Sequence, residues 1–298
     1  MTQLVELEDC TKVYRVGAFG SKRLTAVRNV SFGVKAGEVV SLIGESGSGK
    51  STIGRMILRL SPVTSGAIRF KGDDVAALEG RALKEYYRQA QGVFQDPFSS
   101  YNPIYKADRV FTLIKDAFFP RVDAAEWGRR IDASLDAVAL DPTQVLHKYP
   151  HQLSGGQLQR LLVARALLLD IDFLVADEII SMLDASTRID VLNLLGELKS
   201  RGLGILFVTH DLSLGNYISD RTVILRRGLI VELGATEKVF GNPQHAYTRM
   251  LLASVPQLHH HWEDVAAGYT RAGNAVEPDS PDSVLVECEP GHLVREAA

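Results

Sequence analysis

Residues 44–51 read Gly44-Glu45-Ser46-Gly47-Ser48-Gly49-Lys50-Ser51: a glycine, four residues, then Gly-Lys-Ser. Glycines at that spacing let backbone N–H groups converge on an anion with no side chain in the way. The run lies between a short apolar stretch, Val39-Val40-Ser41-Leu42-Ile43, and a segment of helical character from about 50 to 59. The positive end of such a helix points at the same place. A chain of phosphates suits this cradle, with Lys50 reaching the β- and γ-phosphates and the Ser51 hydroxyl ligating Mg2+. Farther along, Phe173-Leu174-Val175-Ala176 runs into Asp177-Glu178. Two carboxylates at the C-terminal end of a buried strand stand where open α/β sheets bind ligands. Asp177 suits Mg2+ held through water, and Glu178 suits orienting or deprotonating an attacking water. Taken alone, such a pair is usually a helix cap or a solvated turn. Beside a phosphate loop, the catalytic reading prevails.

The elements that must position these residues alternate between strands and helices. The first forty residues alternate apolar and polar, which predicts half-buried strands around a loop at 17–23. Residues 39–43 and 66–70 read as strands, and Ser61-Pro62 ends the helix that begins at Lys50. From 94 to about 153 helical periodicity dominates, broken by Pro97, Pro103, Pro120, Pro142 and Pro150. That predicts a small helical subdomain inserted into a sheet domain. Strands return at 173–176 and 204–208, joined by a helix at about 185–201 that ends near Gly202. A hairpin is expected at 222–233, turning at Arg227-Gly228. After Ser254 the polar sequence with Pro278, Pro281 and Pro290 reads as a loop-rich, partly mobile tail.

Composition removes several classes. With 33 Lys and Arg against 36 Asp and Glu, the net charge is -3, and a protein that coats nucleic acid needs a large basic surface instead. Two cysteines, Cys10 and Cys288, make neither a disulfide scaffold nor a four-cysteine cluster. No apolar run approaches the roughly 18 residues of a membrane-spanning helix. The opening MTQLVELEDC is acidic where a secretory signal would be basic and then apolar. These features lead us to expect a protein of a reducing, cytoplasmic compartment.

A third motif carries a family resemblance. Leu153-Ser154-Gly155-Gly156-Gln157-Leu158-Gln159-Arg160 resembles the signature of ATP-binding-cassette (ABC) ATPases, and it lies between the phosphate loop and the carboxylate pair. The order of the motifs is similar to that family over about residues 3–255. The resemblance implies an α/β P-loop ATPase core: a mixed sheet, parallel at its centre with an antiparallel β subdomain, and an α-helical subdomain inserted at about 95–165. It implies ATP bound by Tyr14, stacked on adenine, and by Gly44, Ser46, Gly47, Ser48, Gly49, Lys50, Ser51 and Thr52. It also implies Mg2+ at Ser51, Gln95 and Asp177, partly through water. Glu178, the switch-like His210 and Gln95 take the catalytic roles. The segment Ser154, Gly155, Gly156 and Gln157 serves a second subunit in trans, and Asp184, in Ser181-Met182-Leu183-Asp184, touches that subunit. One chain then holds two half-sites, and a second, identical or homologous ABC ATPase completes them.

Within the family the chain is similar to the ATPase subunits of oligopeptide and dipeptide importers. Three runs carry this: residues 95–103, Tyr149-Pro150-His151-Gln152-Leu153, and Asn242-Pro243-Gln244-His245-Ala246-Tyr247-Thr248-Arg249. The resemblance implies two transmembrane permease subunits as partners, an extracytoplasmic solute-binding protein acting indirectly, no nucleic acid, and a peripheral place on the cytoplasmic face of the membrane. Residues 256–298 form a tail of the same type. Oligosaccharide or nickel import stays open as an alternative cargo, and a non-transport ABC ATPase is a further reading. In Asp96 to Pro103, Phe98 or Tyr101 is a candidate anchor for a permease helix, against the plainer reading that both pack on the helical insert. Ile179, Gln152 and Ala246 depart from the common pattern of proline, glutamate and proline. With only Cys288 in the tail, no iron–sulfur cluster is expected. Cys288 with His292, and His259-His260-His261, are weak metal signals.

Overall fold

The alternating pattern at the start of the chain becomes strand β1 (Gln3–Val16), paired antiparallel with β2 (Lys22–Lys35). A computed structural model of the chain describes residues 3–17, 21–254 and 283–296. They fall into two compact units, Met1–Leu78 with Leu206–Ala298, and Glu79–Ile205. In the first unit the continuous apolar run is β3 (Val39–Ile43), buried at all five positions, as a strand covered on both faces must be. Its one polar residue, Ser41, is satisfied by the Thr222 hydroxyl at 2.9 Å.

Helix α1 (Lys50–Ile57) follows the glycine loop and buries Ile53, Met56 and Ile57 along one stripe. It stops two residues short of the expected end. Arg59 turns left-handed (φ +54°), and the Leu60 and Ser61 N–H groups close back on the Arg55 carbonyl. Strand β4 (Ser65–Phe70) pairs with β1 and with the short β5 (Asp73–Asp74), giving the antiparallel sheet order β2-β1-β4-β5.

The second unit opens with α2 (Gly80–Gln89) and β6 (Ala90–Val93). Three helices occupy the proline-punctuated stretch, α3 (Arg109–Phe118), α4 (Ala124–Ala137) and α5 (Pro142–Val145), and α6 (Gly155–Leu167) follows it. Asp123 and Asp141 cap α4 and α5 by accepting N–H bonds, so the polar residues ahead of each apolar stripe mark where it starts. Strand β7 (Phe173–Asp177) pairs parallel with β6, and α7 (Ala185–Ser200) follows it.

The chain passes back to the first unit through β8 (Gly204–Thr209), α8 (Leu212–Ile218), β9 (Arg221–Arg226) and β10 (Leu229–Ala235). The β9–β10 hairpin has Arg227 and Gly228 both left-handed (φ +47° and +83°), the pairing that a two-residue type I′ turn requires. Helices α9 (Thr236–Gly241) and α10 (Ala246–Ala253) come next. Strand β3 pairs parallel with β9, and β9 pairs antiparallel with β10. The sheet is therefore mixed, as the sequence predicts.

The tail differs from expectation. Residues 255–282, with the three consecutive histidines, lie outside the described residues. Residues 283–296 are not loop: β11 (Leu285–Glu289) and β12 (His292–Arg295) form a hairpin whose second strand pairs with β10, Glu232 opposite Val294 and Leu233 opposite Leu293. The first unit's share of the large sheet then runs β11-β12-β10-β9-β3-β8. No local pattern announces two strands so short, because the hairpin is anchored only through β12, whose partner β10 lies some sixty residues back.

Candidate active site

Three glycines of the loop after β3 are explained by close approach or by backbone sign. A Cβ at Gly44 would stand 2.1 Å from the Leu225 carbonyl oxygen, and one at Gly49 would stand 2.4 Å from that of Ala26. Gly47 and Gly49 have φ of +79° and +107°, a region side chains rarely enter. The loop is braced from the hairpin turn, where the Gly228 N–H donates to the Ser48 carbonyl at 2.8 Å. Lys50 is buried, and its ammonium arches back to donate to the carbonyls of Gly44 (2.7 Å) and Glu45 (2.8 Å). The Ser48 hydroxyl is buried with no hydrogen-bond partner among the described residues. A buried cation folded over a loop of amides, beside an orphaned hydroxyl, is a site built to take an anion. Ser51 lies exposed in the first turn of α1, and Thr52 follows it half-buried.

Tyr14, half-buried on β1, reaches the same helix. Burial raises its phenol pKa, but hydrogen bonds from the hydroxyls of Ser61 and Thr52 and the charges of Lys12 and Arg55 outweigh that and bring it below its ordinary value. The Lys12 ammonium sits 4.9 Å from the ring centroid. His210, also in the first unit, is exposed immediately after β8, where Asp211 caps α8 by accepting the N–H groups of Ser213 and Leu214.

The second unit carries the remaining candidates. Gln95 is exposed two residues after β6. Helix α6 grips the approach to it: Gln159 Nε2 donates to the Phe94 carbonyl at 3.2 Å, and Arg165 Nη2 donates to that of Gly92 at 2.9 Å. Nothing in the sequence assigns these roles to Gln159 and Arg165, which share α6 with the polar Gln157 and Arg160. Ser154 caps α6, and Gly155 packs between Phe98 and Met182, with both about 3.9 Å from where its Cβ would stand. The signature thus touches both the segment after Gln95 and the Ser181–Asp184 loop.

Asp177 ends β7 buried, while Glu178 turns at once to a left-handed φ of +51°. Ser181 closes that turn, its N–H and hydroxyl both donating to the Glu178 carbonyl at 3.1 and 2.9 Å. A left-handed non-glycine residue is uncommon and costs free energy, which is a recurring property of functional positions. Asp184 caps α7. The hydroxyl of Ser186, the N–H of Thr187 and the hydroxyl of Thr187 all donate to its carboxylate and hold its pKa far below the usual carboxylate range.

Phe98 and Tyr101, alike in the sequence, are placed differently. Phe98 is 47% exposed, whereas Tyr101 turns inward, with its hydroxyl buried and unpartnered among the described residues. Burial pushes that phenol well above its ordinary pKa, against the opposing charge of Arg165. Cys288 and His292, the weak metal signal of the tail, are engaged elsewhere, with the Cys288 thiol on the His292 carbonyl at 3.2 Å. His292 is buried and spends Nε2 on Glu232 at 2.7 Å, and no group of three or more ligating side chains occurs among the described residues.

The structure gathers Tyr14, the loop, Thr52 and His210 on one unit, and Gln95, the signature, Asp177, Glu178 and Asp184 on the other. The sequence pattern described as "ABC transporter" fits residues 27–181, more than half of the chain and all of these motifs except Tyr14, Asp184 and His210. The chain belongs to the ABC transporter family, as an ATP-binding-cassette ATPase. A second pattern, "Oligopeptide/dipeptide transporter, C-terminal region", fits residues 231–288. The putative peptide import ATP-binding protein BOV_A0347 of Brucella ovis is 43% identical over 257 residues, 86% of this chain and 79% of that one. The oligopeptide transport ATP-binding protein AmiF of Streptococcus pneumoniae is 40% identical over 298 residues, 98% of this chain and 94% of that one. A dimeric ATP-binding cassette in a post-hydrolysis state with ADP and Pi superposes with a TM-score of 0.71 at 29% identity, covering 78% of this ABC chain and 98% of that one. No helix among the described residues is long and apolar enough to cross a membrane.

Proposed function

We propose that this chain is the ATP-hydrolysing subunit of an importer of oligopeptides or dipeptides, docked on two permease subunits at the cytoplasmic face of the membrane. The observation that carries this is the pairing, in one chain, of the cassette pattern with the oligopeptide-type C-terminal pattern. Relatives of matching length named for peptide transport support it. We read residues 3–255 as the cassette, with a helical subdomain at about 95–165, and 256–298 as the tail.

In the mechanism, Lys50 exchanges its bonds to the Gly44 and Glu45 carbonyls for the β- and γ-phosphates of ATP, and Tyr14 stacks on adenine. Ser51, Asp177 and Gln95 present a hydroxyl, a carboxylate and an amide oxygen, the hard oxygen donors that suit Mg2+. When bound, that ion neutralises charge on the phosphates. Glu178 accepts a proton from the attacking water or orients it, and His210 contacts the γ-phosphate. The N–H groups of Gly155 and Gly156 at the start of α6, together with Ser154, which also caps Gln157, face the nucleotide of a second cassette. Asp184 lies at the same interface.

The test is to assemble the chain with its permeases in proteoliposomes and measure ATP-driven uptake of labelled di- and oligopeptides, oligosaccharides and nickel. Peptide uptake is the expected result. Transport of another solute alone, or a chain that does not associate with its permeases, would overturn the proposal.

A further inference from the structure

The segment after β10 reaches the phosphate loop directly. Tyr247, on α10, is 1% exposed, and its phenol oxygen accepts the Glu45 N–H at 3.0 Å. Glu45 is the second residue of the loop, and its carbonyl already accepts from Lys50 Nζ (2.8 Å) and the Ser48 N–H (3.2 Å). The peptide groups on both sides of Glu45 are therefore held. Tyr247 packs in a buried cluster with Ile43, Leu212, Ile224 and Val231, and the Arg226 guanidinium lies 5.2 Å from its ring centroid. The phenol cannot swing off the loop without emptying a filled site.

Tyr247 is itself aimed from behind. Its N–H donates to Nδ1 of His245, the residue that caps α10. The N–H groups of His245 and Gln244 donate to the two carboxylate oxygens of Glu232, at 3.0 and 2.8 Å. Glu232 is fully buried on β10 and takes a third bond from His292 of β12. A continuous line of hydrogen bonds thus runs from the C-terminal hairpin through Glu232, His245 and Tyr247 to the loop.

We propose that Tyr247 is a positioning residue for the phosphate loop, holding its first limb in nucleotide-binding shape, so that the C-terminal segment contributes to ATP affinity. This rests on reading residues 44–51 as the ATP site. A limb that must be ordered when ligand arrives subtracts its ordering cost from affinity, and a limb held beforehand does not. Tyr247→Phe removes the acceptor while keeping the ring, its packing and its contact with Arg226.

The experiment titrates ATP into the full chain as wild type, Tyr247→Phe and Lys50→Ala. Nucleotide-free thermal unfolding is measured alongside, together with KM and kcat for ATP in the assembled transporter. Losing one neutral hydrogen bond predicts ATP binding weaker by about 3–10-fold in Tyr247→Phe. KM should rise by a similar factor, more than kcat falls, while the nucleotide-free midpoint falls no further than the loss of a single hydrogen bond allows. Affinity within about twofold of wild type would overturn the role. So would a nucleotide-free midpoint lowered well beyond what one hydrogen bond accounts for, which marks a packing residue only. A wild-type chain that fails to bind ATP while remaining folded overturns the nucleotide-site reading, and the positioning role with it.

Discussion

Ser154 and Gln157 satisfy each other. The Ser154 hydroxyl accepts the Gln157 N–H at 3.1 Å, and the Gln157 side-chain oxygen accepts the Ser154 N–H at 2.9 Å. The signature of the cassette is thus also a complete capping box on α6, and the serine that starts the helix is the one we propose is offered to a partner's nucleotide.

The two duties separate by substitution. Ser154→Ala should lower the stability of the isolated subunit by about 1 kcal/mol, the usual worth of an N-cap. Ser154→Asp keeps a good cap and sets a carboxylate where a γ-phosphate must approach. It should leave the unfolding midpoint near wild type while abolishing ATPase in the assembled transporter. Full activity in Ser154→Asp would refute the role in trans.

Glu178 gives the second prediction. Glutamine has the same shape and tolerates the same turn, so Glu178→Gln should bind ATP as wild type does. It cannot accept a proton from water, and hydrolysis should fall by about 10²–10⁴-fold. ATPase rates and trapping of a nucleotide-bound dimer check this. Turnover near the wild-type rate would remove Glu178 as the base.

How far these features were legible in the sequence depends on the range of the interactions behind them. Strand 39–43 and the turn at Arg227-Gly228 match the structure because an unbroken apolar run and a glycine turn are local signals. The phosphate loop is equally local. Strands β11 and β12 carry no local signal because each is five residues or fewer, and the hairpin joins the sheet only through β12, which pairs with a strand far back in the chain. The bond from Glu45 to Tyr247 spans 202 positions, and no spacing within either segment points to it. Phe98 and Tyr101 look alike on paper, and only packing separates them. The roles of Gln95 and Asp184 came from motif order and not from their own chemistry.

Acid should expose the cap of α7. The Asp184 carboxyl is pulled below its ordinary value of 3.8, first by the Ser186 hydroxyl and then by the Thr187 N–H and hydroxyl. The folded chain holds that proton less tightly than the unfolded one. The cap's contribution is therefore complete above the ordinary carboxylate range and is lost as pH falls from there toward the folded value. Asp184→Ala should lower the unfolding midpoint at neutral pH, and its gap from wild type should narrow below about pH 4. A gap independent of pH would show that the carboxylate is not what caps the helix.

The segment after Gln95 offers a test that separates surface from core. Phe98 is exposed and Tyr101 is turned in, so one substitution at each should act on a different property. Phe98→Ala removes an exposed ring, and a surface change of that kind shifts stability by no more than about 0.5 kcal/mol. If the ring anchors a permease helix, the variant should keep ATP binding in the isolated subunit while losing membrane association and transport. Tyr101→Phe removes a buried hydroxyl that has no partner among the described residues. An unsatisfied buried polar group costs about 1–3 kcal/mol, so this variant should unfold at a higher temperature than wild type and still transport. Thermal unfolding of the subunit and uptake by the assembled transporter read out both. A Phe98→Ala subunit that transports normally would end the docking role, and a destabilised Tyr101→Phe would show that the phenol has a partner holding it.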